Sequence, residues 1–233
     1  MLSTTEEPGG PVALITAAGK GIGAACARAL AGAGYRVVLL SRGEDAATLA
    51  TELGGVGMRG DVTRAADLEA LVRTALDRYG RIDAVVFNTG HPAKGPLLDL
   101  TDAQWHEGLD LLLLGLVRLA RLVTPIMERQ GHGAWVSISS LAVEQPDARF
   151  PVSSVIRAAL GAFTRLYAER YAGSGIRANV VLPSFVDNHP VDEATRARIP
   201  LGRPVSAEEV ARTVVFLLSP AASGITGTSV RVG

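Results

Sequence analysis

The chain has 233 residues, of which 48% are hydrophobic, and its 23 Lys and Arg side chains balance 23 Asp and Glu side chains. A chain of this size and composition can bury the core of one sizeable domain, so we expect a single domain over residues 1–233. Because it carries no net charge, it has no general attraction to nucleic acid or to an anionic membrane, and neither is an expected partner.

Other sequence features restrict the setting in which the protein works. The single cysteine, Cys26, excludes an internal disulfide, which fits a reducing compartment and predicts a cytoplasmic protein. The first ten residues, MLSTTEEPGG, contain no apolar run, so no signal peptide is expected. The most apolar stretch, LDLLLLGLVRLARLV, is interrupted by Asp110, Arg118 and Arg121, which predicts a buried or interface helix rather than a membrane span. No spacing of Cys, His and carboxylate residues indicates a metal site.

Short β-rich runs alternate with longer segments of helical spacing. The runs are VALIT from residue 12, RVVLL from 36, VGMRG from 56, IDAVVF from 82, AWVSIS from 134, IRANVVL from 176 and SVRV from 229, and the helical segments span 21–33, 44–53, 64–79, 101–130, 151–172 and 206–218. This alternation predicts an α/β fold with right-handed crossovers, in which a doubly wound parallel sheet of about seven strands carries helices on both faces. The ligand of such a sheet lies beyond the carboxyl ends of its strands, where the strand order reverses.

A glycine cluster follows the first run. Gly19, Gly21 and Gly23 occupy a strand-to-helix turn, where missing side chains let the backbone approach a pyrophosphate at the helix N-terminus. The strand before the turn and the amphipathic helix after it supply the context that a dinucleotide site requires. A tight turn without a ligand is the alternative interpretation.

The order T-A-A-G-K-G-I-G at 16–23 resembles the T-G-x-x-x-G-x-G motif of the short-chain dehydrogenase/reductase family, with Ala17 in place of the first glycine. The resemblance covers nearly the whole chain and includes the segments GDV at 60–62, NTG at 88–90, ISS at 138–140, RAAL at 157–160, NVVLPSFV at 179–186 and ITGTSVRV at 225–232. Within the family, the chain resembles 3-oxoacyl-carrier-protein reductases.

This resemblance implies a Rossmann-type fold, a nicotinamide cofactor and a small-molecule substrate. The family's cofactor-binding positions fall on Gly19, Lys20, Gly21, Ile22, Gly23, Ser41, Arg42, Asp61, Val62, Asn88, Gly90, Pro183 and Val186.

The end of the second strand bears on the choice of cofactor. A carboxylate there would accept a hydrogen bond from the ribose 2′-OH of NAD, but this sequence has Ser41 and Arg42. Arg42 can pair with the 2′-phosphate of NADP and Lys20 adds charge, and in the family basic residues at these two positions go with NADP. Glu44 and Asp45 follow closely and could neutralise Arg42. The sequence therefore predicts NADP(H), with NAD(H) as the alternative.

The family's catalytic group is a serine, a tyrosine, a lysine and usually an asparagine, and only the serine is retained here. It falls on Ser140; the tyrosine position, thirteen residues further on, holds Ser153, and the lysine position, four beyond that, holds Arg157. The asparagine position holds Leu112. We therefore expect Ser140, Ser153 and Arg157 to carry any catalysis.

No other alignment restores the missing groups, because no tyrosine lies between Tyr79 and Tyr167 and no lysine follows Lys94. On a helix, Ser153 and Arg157 share a face. A serine hydroxyl is a poor acid, and an arginine can bind a ribose or stabilise an oxyanion but stays protonated. Loss of a positioned general acid typically costs roughly 10²–10⁴-fold in rate, so any proton transfer must be non-standard.

Two histidines are candidates for the missing acid. His91 comes directly after NTG, and His189 lies with Asp187 on the loop after the sixth strand. For both histidines, a loop position without a catalytic role is the alternative interpretation.

Three hypotheses about function follow. The first is an NADP(H)-dependent oxidoreductase with altered proton handling, the second a non-redox lyase, cyclase or dehydratase on the same scaffold, and the third a catalytically silent binding or scaffold subunit. The apolar helices 101–130 and 151–172 predict a homodimer or homotetramer, as in relatives that associate through these two helices.

Overall fold

The computed structural model describes residues 9–187, 191–197 and 199–233. Its strands are β1 (Val12–Thr16), β2 (Arg36–Ser41), β3 (Val56–Arg59), β4 (Ala84–Phe87), β5 (Gly133–Ile138), β6 (Ile176–Pro183) and β7 (Ser229–Val232). They form one sheet in the order β3-β2-β1-β4-β5-β6-β7, and all neighbouring strands are parallel. The predicted doubly wound, Rossmann-type sheet is confirmed.

Helices cover both faces of this sheet. They are α1 (Gly21–Gly32), α2 (Asp45–Glu52), α3 (Ala65–Tyr79), α4 (Asp102–Leu109), α5 (Gly115–Gln130), α6 (Pro151–Tyr171), α7 (Glu193–Ala197) and α8 (Ala207–Leu218). Helices α1, α2 and α8 bury apolar side chains against one face, and α3, α5 and α6 bury theirs against the other.

The continuous apolar runs of the strands follow from this two-sided burial. In β1, Val12 and Leu14 pack into the core beneath α3, α5 and α6, while Ala13 and Ile15 pack into the core on the opposite face. Successive side chains of a strand point to opposite faces, so every position must be apolar when both faces are covered.

The strand order reverses at β1, which pairs with β2 on one side and with β4 on the other. The chain therefore leaves β1 and β4 toward opposite halves of the sheet, and a crevice opens between the two loops. All seven strands are parallel, so the loops that follow β2, β3, β5 and β6 reach the same edge.

The single helix predicted over 101–130 is interrupted. Helix α4 is joined to α5 by a π-helical segment, Asp110–Leu114, in which the Gly115 N–H donates to the Asp110 carbonyl five residues back. The hydrophobic periodicity of the sequence continues through the π-helical segment, so the sequence alone does not reveal the interruption. A Cβ added to Gly115 would lie 2.9 Å from the Val62 carbonyl oxygen, so glycine allows the helix to approach the sheet closely here.

Two further expectations concern the core and the membrane. Cys26 is fully buried, and this burial raises the pKa of its thiol to about 12, as suits a small core residue rather than a nucleophile. Among the helices in the described ranges, none combines the length and apolar character needed to cross a lipid bilayer.

A polar cluster centred on Asp83 lies at the opposite edge of the sheet from the crevice. Its carboxylate accepts hydrogen bonds from the Val12 N–H at 2.7 Å, from Arg81 at 2.7 Å and from His132 Nε2 at 2.7 Å. Burial favours the neutral form of Asp83, but the hydrogen bonds from Arg81, Val12 and His132 outweigh it and hold its pKa below the ordinary value.

We expect Asp83→Asn to lower the free energy of unfolding by about 1–3 kcal/mol near neutral pH. Because the folded pKa is depressed, the carboxylate stabilises the fold above the unfolded value of about 3.9, and this contribution is lost as the pH falls through the folded value. Urea unfolding of the wild type and the variant should therefore converge toward acidic pH. Asp77→Asn, on the exposed face of α3, is the control. An Asp83→Asn deficit that did not change with pH would contradict this assignment.

Candidate active site

The structure brings the predicted site residues to one edge of the sheet. The glycine loop follows β1; Ser41 and Arg42 end and follow β2; Asp61 and Val62 follow β3; Asn88 and Gly90 follow β4; Ser140 follows β5; and Pro183 and Val186 end and follow β6. Ser153 and Arg157 come from the first turns of α6. Residues separated by more than a hundred positions in the chain therefore border a common crevice.

The glycine loop is closely packed and leads into a helix N-terminus that no side chain caps. A Cβ on Gly23 would lie 2.2 Å from the Ala17 carbonyl oxygen, and one on Gly19 would lie 2.9 Å from the Asp45 Cβ. Lys20 is the N-cap residue of α1, but no side chain caps this helix and no acidic residue lies in its first turn. Uncapped N–H groups at the positive end of a helix dipole form an anion-binding site.

Ala17 adopts the conformation for which glycine is suited. Its φ of +46° makes it the one non-glycine residue with positive φ in the described part of the chain. The loop is held there by tertiary hydrogen bonds, since the Ala18 N–H donates to the Leu40 carbonyl at 3.1 Å and Asn88 Nδ2 donates to the Ala17 carbonyl at 3.3 Å. A left-handed alanine costs roughly 1–2 kcal/mol.

We expect Ala17→Gly to stabilise the protein by about 0.5–1 kcal/mol, because relief of the strain exceeds the extra entropy of an unfolded glycine. Thermal unfolding should show a rise in Tm of about 1–4 °C for a chain of this size. Ala31→Gly, within α1, is the matched control and should lower the stability by up to about 1 kcal/mol. Equal destabilisation by both substitutions would show that Ala17 is not strained.

Asp61 and Val62 border the crevice after the end of β3. Asp61 Oδ1 accepts hydrogen bonds from the backbone N–H of Thr63 at 3.0 Å and from its hydroxyl at 2.9 Å, which fixes the carboxylate. The Asp61 N–H donates to Asp67 at 2.8 Å, and Val62 is buried. Asp61 is thus oriented by its own turn, with Oδ2 left as an acceptor.

Arg42 is exposed and reaches toward the end of β4. A Cβ on Gly90 would lie 3.7 Å from one terminal nitrogen of its guanidinium. Glu44 lies 3.8 Å from Arg59 instead, and no carboxylate within the described ranges is paired with Arg42. Within the described ranges, neither Glu44 nor Asp45 forms an ion pair with Arg42, the pairing that the sequence left open.

Ser153 and Arg157 are in direct contact on α6. Arg157 Nε donates to Ser153 Oγ at 3.2 Å, Nη1 to the Ile138 carbonyl at 2.7 Å, and Nη2 to Thr89 Oγ at 3.4 Å. The residue is 6% exposed, and burial lowers the pKa of its guanidinium to about 10. Arg157 therefore stays protonated at neutral pH and joins the ends of β4 and β5 to α6.

Ser140 retains a hydroxyl at the end of β5. Its Oγ accepts a hydrogen bond from the Ala142 N–H at 3.2 Å and begins the short turn Leu141–Val143. The Ser140 hydroxyl proton has no acceptor among the described residues, so the group can still donate to a ligand.

The residue that the sequence aligns with the family's asparagine, Leu112, is apolar. Leu112 lies in the π-helical segment and is fully buried. The segment is anchored by the Asp110–Arg118 ion pair at 2.6 Å and by a hydrogen bond from Arg118 to the Thr63 carbonyl at 3.1 Å. A leucine side chain at position 112 therefore offers no hydrogen-bond donor or acceptor for a proton relay.

The loop after β6 forms the remaining wall. Pro183 is buried at the end of β6, and Val186 forms a parallel bridge with Val205. Ser184 is also held there, since its N–H donates to the Val232 carbonyl at 2.9 Å while its buried Oγ has no partner among the described residues. The Ser184 hydroxyl is therefore buried without a hydrogen bond in the described structure, and the residue is held by its backbone N–H.

Sequence reasoning missed a group of cations and aromatic rings at the mouth of the crevice. Lys94 Nζ lies 5.0 Å from the Phe150 ring centroid, and Arg149 lies 5.5 Å from the Phe150 ring and 5.8 Å from the Phe185 ring. Arg149 also pairs with Asp147 at 2.6 Å. The four side chains come from three loops, so no local spacing could have predicted the group.

The described residues include His91 and His132. His91 is exposed beside the crevice, and His132 belongs to the Asp83 cluster at the opposite edge. His189 lies outside the described residues, while Asp187 is exposed at the start of its loop. Across the described ranges, no group of His, Cys, Asp and Glu has the proximity needed to hold a metal ion.

Comparisons with known proteins agree with this fold. A family model described as enoyl-(acyl carrier protein) reductase matches residues 16–233. The chain is 34% identical to a short-chain reductase of Streptomyces niveus, over 95% of this chain and 92% of that protein. It is 36% identical to a cis-4-hydroxycyclohexanecarboxylate dehydrogenase of Sinomonas cyclohexanicum, over 95% and 94% of the two chains.

A third relative, a 3-oxoacyl-[acyl-carrier-protein] reductase of Vibrio cholerae, is 30% identical over 96% of each chain. The resemblance noted in the sequence is therefore shown. With the seven-stranded sheet and the glycine loop at its reversal point, these matches establish that this chain belongs to the short-chain dehydrogenase/reductase family.

Proposed function

We propose that the protein is an NADP(H)-dependent oxidoreductase that interconverts a ketone and an alcohol with non-standard proton handling. The observation that carries this proposal is the uncapped N-terminus of α1 beside Gly19 and Gly23, where side chains would collide with neighbouring atoms. This arrangement fits the pyrophosphate of a dinucleotide. Ile22 would add a backbone donor, and Asp61, Asn88 and Pro183 border the same crevice.

A preference for NADP(H) is supported by two cations. Lys20 is exposed at the start of α1, and Arg42 is exposed after β2 without a carboxylate partner in the described ranges. A guanidinium fork and an ammonium suit a ribose 2′-phosphate, whereas no carboxylate occupies the end of β2 to bind the free hydroxyl of NAD.

The proposed catalytic residues, Ser140, Ser153 and Arg157, are better suited to binding and polarising a substrate than to transferring a proton. The nicotinamide, when bound, supplies the hydride. Ser140 would donate a hydrogen bond to the substrate carbonyl and to the oxyanion that develops from it, and the charge of Arg157 would bind and orient the substrate. Because Ser153 is a poor acid and Arg157 stays protonated, the proton must come from water or from the substrate.

A fluorescence titration with NADPH tests the nucleotide assignment. We expect saturable binding, followed by consumption of NADPH when a panel of ketones and quinones is added. No binding at millimolar NADPH would eliminate the proposal. Binding of NADPH without turnover of any compound in the panel would favour a catalytically silent subunit instead.

A second function, a catalytically silent subunit, is favoured by the buried environment of the altered positions. Arg157 makes three hydrogen bonds within the protein, and Leu112 is fully buried, so both positions contribute to the fold without a ligand. A non-redox lyase, cyclase or dehydratase has no specific observation in its favour.

Self-association through α4–α5 and α6 is part of the proposal. On α6, Val155 and Leu166 are large apolar side chains that are 54% and 67% exposed. Burial of such groups against a second copy would stabilise a dimer or tetramer, which sedimentation velocity can measure.

We also propose a cytoplasmic location, which suits a chain whose one thiol is buried.

A further inference from the structure

The guanidinium of Arg157 is buried without a counterion in the described protein. All three of its partners are neutral oxygens: Ser153 Oγ, the Ile138 carbonyl and Thr89 Oγ. No carboxylate of the described ranges forms an ion pair with it, and burial is the cause that lowers its pKa. By contrast, the partly buried Arg118 pairs with Asp110 at 2.6 Å.

A buried charge of this kind is costly, because hydrogen bonds to neutral oxygens replace its hydration only in part. Arg157 also has donors to spare. A guanidinium has five N–H groups, of which three are used here, so one N–H on each terminal nitrogen is without an acceptor in the described structure. Two neighbouring donors on a planar fork match the two oxygens of a carboxylate.

The rest of the crevice strengthens the case for an anion. Gly108 of α4 packs against both Val152 and Pro92, so the loop after β4 lies against the first turn of α6. That loop brings Lys94 over the Phe150 ring at 5.0 Å, and within the described ranges no carboxylate is paired with Lys94. Arg149 is compensated by Asp147 at 2.6 Å, so at this end of the cleft Lys94 and Arg157 are cations that no described carboxylate pairs with.

Ser140 and the guanidinium of Arg157 lie at the same end of β5. Ser140 has an extended backbone, with φ of −159° and ψ of 149°, and it follows Ile138, which holds Arg157, by two residues. Two residues of extended chain span on the order of 7 Å. A short ligand can therefore bring one group to the guanidinium beside Ile138 and another to the Ser140 hydroxyl, as in an oxo acid whose carboxylate is bonded to the carbonyl carbon or separated from it by one methylene.

We propose that the cleft binds a short oxo acid, with its carboxylate on the fork of Arg157 and its carbonyl oxygen accepting a hydrogen bond from Ser140. The inference rests on the assignment of this cleft as the substrate site in the proposed function. It does not require that hydride transfer takes place.

Isothermal titration of the purified protein with sodium acetoacetate and sodium pyruvate, each compared with its uncharged analogue methyl acetoacetate or acetone, tests the inference. We expect saturable binding of at least one acid and binding of its uncharged analogue that is weaker by about tenfold to a hundredfold. Equal affinities for acid and uncharged analogue, or no binding of either acid at high millimolar concentration, would overturn it.

Substitutions of Arg157 test whether this residue binds the carboxylate. Arg157→Met keeps the side-chain length, removes the charge and should abolish the preference for the acid, while Arg157→Lys should retain part of it. Arg165→Gln, on the exposed side of the same helix, is the control and should bind acids like the wild type. If Arg157→Met does not fold, the comparison of acid with uncharged analogue on the wild type still decides the question.

A separate NADPH titration distinguishes the two proposals. If the protein binds NADPH but neither oxo acid, the oxo-acid inference alone is contradicted. Acid binding by a protein that does not bind NADPH contradicts the oxidoreductase proposal alone.

Discussion

The double substitution Ser153→Tyr with Arg157→Lys should raise NADPH-dependent reduction of a simple ketone by roughly 10²–10⁴-fold over the unmodified protein. The two positions already contact each other through a 3.2 Å hydrogen bond from Arg157 Nε to Ser153 Oγ. A phenol and an ammonium placed there would lie on the same face of α6, near the retained Ser140.

The expected gain in rate follows from the greater acidity of a tyrosine hydroxyl. A tyrosine hydroxyl starts near a pKa of about 10, and a neighbouring ammonium lowers this value toward neutrality, whereas an aliphatic hydroxyl starts several units higher. Lysine is also shorter than arginine and does not reach the Ile138 carbonyl and Thr89 in the same way, which frees space beside the ring. Leu112 should stay unchanged in this variant, because an amide at a fully buried position would have no assured partner.

The matched control is Ser153→Phe with Arg157→Lys, which adds the same ring without its hydroxyl and should show no gain. Initial rates of NADPH oxidation with a panel of ketones, together with circular dichroism and NADPH titration, complete the experiment. A folded Tyr–Lys variant that binds NADPH but reduces no ketone would mean that the alignment of these positions with the family's tyrosine and lysine is wrong.

Arg42→Gln should weaken NADPH binding by about tenfold to a hundredfold and leave NADH binding nearly unchanged. A hydrogen bond to a charged group typically contributes about 1.5–3 kcal/mol, and the 2′-phosphate is present in NADPH alone. In the structure, Arg42 has no competing carboxylate within the described ranges, so its charge is available for the phosphate. Lys20→Gln should have a smaller effect in the same direction.

Arg28→Gln is the control for general loss of positive charge, because Arg28 lies on α1 but is paired with Glu52 at 2.9 Å. Dissociation constants for NADPH and NADH should be measured by fluorescence for all variants at one salt concentration. Similar losses for both nucleotides in Arg42→Gln would show that Arg42 supports the loop rather than the phosphate, and NAD(H) would then be the better assignment.

Local sequence patterns determined the architecture of this protein. The runs VALIT and RVVLL are apolar at successive positions because helices cover both faces of the sheet, and alternation with helical segments is enough to predict parallel strands. The contact between Ser153 and Arg157 was also predictable, since residues four apart on a helix are neighbours. These features depend on the geometry of a single strand or helix.

Other features could be decided only by the tertiary structure. Arg157 meets Ile138 and Thr89, which are 19 and 68 residues away, and Lys94, Arg149, Phe150 and Phe185 meet from three loops. Likewise, Glu44 lies near Arg59 rather than Arg42 because β2 and β3 are adjacent. Such contacts depend on strand order and on how loops pack above the sheet edge, and no local spacing contains that information. The amino-acid order predicted that the family's usual acid is replaced by Ser153. Only the packed structure showed that Arg157, which contacts Ser153, is a buried cation without a counterion among the described residues.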